Sequence, residues 1–98
     1  MAVAVIMEFA GATLEQYDQV IGKMGLTPGG PGPAGALGHW VAATDNGILV
    51  TDLWQSKELY DAFAQEQIGP FSAEAGIPEP PKVRYLEAHN YFTPGAAA

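Results

Sequence analysis

The chain contains no cysteine and only four lysines and arginines. The first absence excludes disulfides and thiolate metal sites as sources of rigidity. The second excludes polyanion binding, because neutralising phosphates requires clustered basic side chains against the 11 acidic ones present. At a net charge of −7, anionic membrane surfaces are disfavoured for the same reason. There is no long apolar run either. The opening "MAVAVIMEF" lacks a basic flank and is interrupted by Glu8. Neither a signal peptide nor a membrane span is expected, and a cytoplasmic location is the default expectation.

What is present is an ordinary globular composition, 48% hydrophobic and 15% charged over 98 residues, the size of one domain. Such a chain buries only about two thirds of its unfolded surface, so covering a second face by self-association is an available route to stability. Residues 1–93 are expected to form the domain, and "PGAAA" supplies a flexible tail over 94–98.

The pattern predicts six elements in a definite order. "AVAVIMEF" is a short, β-branched, buried strand. Thr13 and Gln16 have capping-box spacing, Leu14, Tyr17, Val20, Ile21 and Met24 share one helical face, and Gly25 is a helix stop. "ALGHWVAAT" and "GILVTDLW" are strands joined at "DNG", where Asn46-Gly47 signals a hairpin because both residues tolerate positive φ. Ser56 caps a second helix with a stripe of Leu59, Tyr60, Phe63 and Ala64. Gly69-Pro70 is expected to break it, "FSAEAG" adds a turn, "IPEPPK" is a stiff connector, and "VRYLEAHNYF" is a last strand. The order β-α-β-β-α-β predicts an α+β, ferredoxin-like domain: one four-stranded antiparallel sheet, both helices on one face. The opposite, apolar face then calls for a partner sheet.

Between the first helix and the second strand lies "GLTPGGPGPAGALGHW". It sits inside one βαβ unit, so it is not an interdomain linker. It is longer than the usual connection of about 2–6 residues, which suggests a lid or rim over a pocket at 27–38, with a tolerated surface insertion as the plainer alternative.

"VTDLWQSKELYDAFAQEQIGP" resembles the third strand and second helix of the dimeric α/β-barrel superfamily, in particular the antibiotic-biosynthesis-monooxygenase-like proteins. The resemblance implies a homodimer with face-to-face sheets and a pocket between sheet and helices. Some members oxidise aromatic phenols with oxygen and no cofactor; others degrade haem. The haem-degrading pattern fails here. Trp54 matches, but Met7 and Glu8 stand where an Asn is needed in the first strand, and Ala64 where a His is needed on the second helix.

Strand parity sorts the chemistry-bearing residues. Leu37, His39, Val41 and Ala43 share a face, as do Ile48, Val50, Asp52 and Trp54. Turning at Asn46-Gly47 pairs His39 with Trp54; turning at Asp45-Asn46 pairs it with Asp52. Either way His39, Asp52 and Trp54 lie on one side. A carboxylate beside His39 would orient it and make it a usable general base; a structural interface histidine is the alternative. Trp54 offers a wall for an aromatic ligand or a core anchor. Tyr17, Tyr60 and Phe63 are helix aromatics, more in keeping with core than site, although Tyr17 and Phe63 also qualify as pocket residues. Asn90 and Tyr91 are candidates to bind substrate oxygens. Glu8 must be paired, protonated or at a wet end. Glu8, Asp52, His39 and His89 lack local ligand spacing, so neither a metal nor another cofactor is expected. Two functions remain: a cofactor-independent monooxygenase-like enzyme, or a related isomerase or cyclase, acting on a small aromatic or polyketide-like compound; or a non-catalytic small-molecule-binding or stress-associated dimer.

Overall fold

A computed structural model describes residues 1–92, so the expected tail at 94–98 lies outside the described residues. Strand β1 (Val3–Ala10) turns at Gly11 into helix α1 (Leu14–Met24). The Thr13 hydroxyl accepts from the Gln16 amide and the Gln16 side chain accepts from the Thr13 amide, satisfying two free donors reciprocally. At the other end Gly25 takes φ 77°, and its amide and that of Leu26 close on the last helical carbonyls.

Strands β2 (Ala36–Thr44) and β3 (Gly47–Trp54) form the hairpin. Thr44 pairs with Gly47, so the turn residues are Asp45 and Asn46, and His39 stands opposite Asp52. Among the described residues no non-glycine residue has positive φ, and Gly47 does not either. Glycine is needed at 47 for closeness instead: a Cβ there would lie 2.0 Å from the Phe9 carbonyl oxygen. At the far end the register slips between Ala36 and Gly38, so Ala36, rather than Leu37, stands opposite Trp54.

Helix α2 (Lys57–Phe63) is capped by Ser56. Gly69-Pro70 does not end it. The chain passes through a π-turn (Ala64–Ile68) and continues as α3 (Gly69–Glu74). The Gly69 amide reaches back to the Ala64 carbonyl, five residues earlier. The widened turn makes room for a proline ring that would collide with an α-helical carbonyl. Strand β4 (Lys82–Glu87) completes one antiparallel sheet in the order β2-β3-β1-β4. This is the ferredoxin-like arrangement that the order of elements predicts.

Alternation decides which face is filled. Val3, Val5, Met7 and Phe9 of β1 and Ile48, Val50 and Trp54 of β3 are buried against the helices, together with Tyr60. Each large side chain so buried stabilises the fold by about 1.5–3 kcal/mol. Two residues of the expected stripes are exposed instead. Leu14, the first residue of α1, is exposed, and Leu59 leans on Gly35 in the long loop rather than on the sheet. The opposite face carries Trp40 and Leu86, 52% and 47% exposed. Glu8 lies on that face, exposed and opposite Lys82 in the register, which places it at a wet surface.

Candidate active site

The site is built on the hairpin. Because the turn falls at Asp45 and Asn46, His39 and Asp52 become a directly opposed cross-strand pair on the helix side of the sheet. His39 Nδ1 lies 2.6 Å from Asp52 Oδ1. Trp54, two residues along the same face of β3, donates its indole N–H to Asp52 Oδ2 at 3.0 Å. Each carboxylate oxygen therefore has its own donor, which is what a carboxylate only 7% exposed requires. The side chain of His39 remains 40% exposed.

Helix α1 supplies the next member. Tyr17 sits one turn inside the capping box and hydrogen-bonds His39 Nε2, with the two ring planes nearly parallel at 10°. With Asp52 accepting from Nδ1–H, the neutral ring presents a lone pair at Nε2, and the Tyr17 hydroxyl donates to it. Burial first, then the negative charges of Asp52 and Asp18, push the Tyr17 phenol above its ordinary value. The chain Trp54–Asp52–His39–Tyr17 thus runs from the core to a cavity.

That cavity, of about 790 Å³, lies between the inner face of the sheet, α1 and the long loop. Its walls are mostly apolar, with Phe9, Val20, Ile21, Ile48, Val50 and Phe63 among them; the hydrogen-bonded Tyr17, His39 and Asp52 stand together in the lining. Such a volume and lining suit a small-molecule site. The loop is ordered by turns at Thr27–Gly30 and Pro33–Ala36, and Gly35 is tied to Gln55 at 2.8 Å. Its residues 26–33 line the cavity, the position that a lid or rim requires.

Of the residues singled out in the sequence, His39, Asp52, Trp54, Tyr17 and Phe63 all line this cavity. Trp54 is 1% exposed and packs against Tyr60 and Phe63, so its clearest contact within the site is the hydrogen bond to Asp52. Asn90 and Tyr91 are not in the lining: β4 ends at Glu87, and both residues lie exposed beyond it. Tyr85 pairs with Val5, so the Tyr85–Glu87 row faces the same side as His39, yet His89 follows the end of the strand and is exposed. Tyr60 is core, its hydroxyl donating to the Met7 sulfur at 3.1 Å, and burial raises its pKa well above the ordinary value. Among the described residues no group of three His, Asp or Glu side chains is placed to hold a metal. Among them, too, no helix is long and apolar enough to cross a membrane.

No protein-family model matches the chain, and no curated protein does. Among solved structures the chain is similar to the monooxygenase from the gene ActVA-Orf6 of Streptomyces coelicolor, in complex with the ligand nanaomycin D. The two are 21% identical over 95% of this chain and 91% of that one, with a TM-score of 0.56. At that identity the likeness concerns the backbone alone: the two chains share the ferredoxin-like fold.

Proposed function

We propose that this chain is a cofactor-independent monooxygenase acting on a small aromatic or polyketide-like compound. One observation carries the proposal: a Tyr17–His39–Asp52 hydrogen-bond relay delivers a basic nitrogen to the wall of an apolar cavity. The shared fold with a monooxygenase solved with nanaomycin D supports it. A phenol or anthrone needs to lose a proton before it can donate an electron to oxygen. His39 is the base, and Asp52 holds the ring and stabilises the imidazolium. Tyr17 stands between His39 and the substrate, passing its own proton to Nε2 as it takes the substrate's. No free phenolate forms, in keeping with the raised pKa of Tyr17. The resulting carbanion reduces dioxygen, and the peroxide formed at that carbon loses water. A methylene and one O₂ become a carbonyl and one H₂O; the four electrons come from the substrate, so no outside reductant is required.

The protein acts as a homodimer in this proposal. Trp40 and Leu86 give the uncovered sheet face an apolar surface that a second copy would bury. Light scattering on the wild type should report a dimer at micromolar concentration, and Trp40→Glu should shift it toward monomer.

Oxygen uptake with a panel of anthrones and naphthols tests the chemistry. Wild type should consume oxygen above background, and His39→Ala should lose about 10²–10⁴-fold of that rate. Equal background rates for both proteins would leave a cavity that binds but does not react, the non-catalytic alternative.

A further inference from the structure

The chain's four basic side chains all lie away from the cavity. Lys23 stands 3.8 Å from Glu74, and Lys57 stands 2.7 Å from Asp61 and over the Tyr85 ring. Lys82 and Arg84 pair with Glu8 and Ile6 of β1, on the face away from the helices. None of the four lines the cavity. The charged groups that do are Asp52, within the relay, and Asp18, exposed on α1 one residue after Tyr17. His39 is the one basic group there, and it is engaged on both nitrogens by Tyr17 and Asp52.

We infer that the cavity selects uncharged, hydroxylated aromatic molecules and rejects their carboxylated analogues, with Asp18 a specificity-determining residue at its polar side. The inference deepens the proposed function and rests on the cavity being its site, but it does not depend on any reaction. A carboxylate entering this space loses hydration to an apolar wall. It meets no cation to replace the water, and it stands near Asp18 and Asp52. A neutral phenol meets none of these penalties. Its hydroxyl finds the Tyr17 oxygen, and its rings lie against the apolar wall.

The test uses unreactive probes, a dihydroxyanthraquinone and its monocarboxylic acid, with binding followed calorimetrically at neutral pH. The wild type should bind the uncharged probe at least tenfold more tightly than the acid. Asp18→Asn should narrow that ratio by about threefold, and Asp18→Lys should close most of it, both acting on the acid and leaving the uncharged probe nearly unchanged. Equal affinities in the wild type, preference for the acid, or no binding of the uncharged probe would overturn the inference. So would a ratio that neither Asp18 variant alters. Oxygen uptake measured on the same preparations separates the two proposals: charge selection without uptake defeats the oxygenase alone, and uptake without charge selection defeats the selectivity alone.

Discussion

Replacing Asp52 by Asn tests the relay at its pivot. The change keeps shape and volume while altering which atoms accept. In the native site both Asp52 oxygens are acceptors, one for His39 Nδ1–H at 2.6 Å and one for Trp54 Nε1–H at 3.0 Å. An amide has one acceptor oxygen and two N–H donors. The indole can only donate, so it claims the oxygen, and the amide nitrogen is turned toward His39. Nδ1 then has to accept, and the neutral ring carries its proton on Nε2. That nitrogen can no longer receive a proton from Tyr17. The base is lost although every side chain stays in place. General-base catalysis of this kind contributes about 10²–10⁴-fold, and the variant should lose a comparable share of oxygen uptake. Stability should fall by about 1–3 kcal/mol, the difference between charge-assisted and neutral hydrogen bonds, partly offset by no longer desolvating a carboxylate. Nitrogen-detected histidine NMR reports the tautomer directly, and urea unfolding reports the stability. A variant whose His39 keeps its proton on Nδ1, or one that oxidises substrate at the native rate, would refute the reasoning.

Alkaline stability follows from the tyrosines. The phenols of Tyr17 and Tyr60 are raised by burial, so above pH ~10 the unfolded chain releases protons that the folded chain retains. The stabilisation is fully present below that pH and should fall by up to about 1.4 kcal/mol per pH unit for each phenol held neutral. Phenolate absorbance should track unfolding, and Tyr60→Phe should weaken the pH dependence; a flat stability profile to pH ~11 would contradict it. Gly47→Ala places a methyl 2.0 Å from a backbone oxygen and should cost about 3 kcal/mol or more in urea unfolding, whereas Gly22→Ala, with nothing within 4 Å, should stabilise α1 by about 0.5–1 kcal/mol. If the loop is a lid, hydrogen exchange at Leu26, Thr27, Gly29 and Gly30 should slow when the uncharged anthraquinone binds, and unchanged exchange would count against it.

Local rules with a single outcome carried most of the fold in the sequence. Thr13 and Gln16 can satisfy one another only at a helix start, and parity alone put His39, Asp52 and Trp54 on one side, whichever two residues turned the hairpin. Helix endings were less legible. Proline disrupts the interior of a continuing α-helix but is accepted after a π-turn, and whether a π-turn forms at 64–68 depends on packing that the Gly69-Pro70 signal does not encode. The end of β4 was hidden for a similar reason. "EAHNYF" alternates like a strand, but β1, its partner, begins at Val3 opposite Glu87, so Asn90 and Tyr91 have no β1 residue to pair with. Tyr17 shows the limit most clearly. Its spacing in α1 is that of a core residue, and it does pack against the core. What makes it part of the site is that α1 crosses the sheet above His39, a distance between two elements 22 residues apart in sequence. Periodicity gives the face of a helix but not the strand residue beneath it. Whenever a polar-tipped aromatic falls on a sheet-facing stripe, its role turns on whether that residue is apolar or, as here, a histidine whose second nitrogen it can reach.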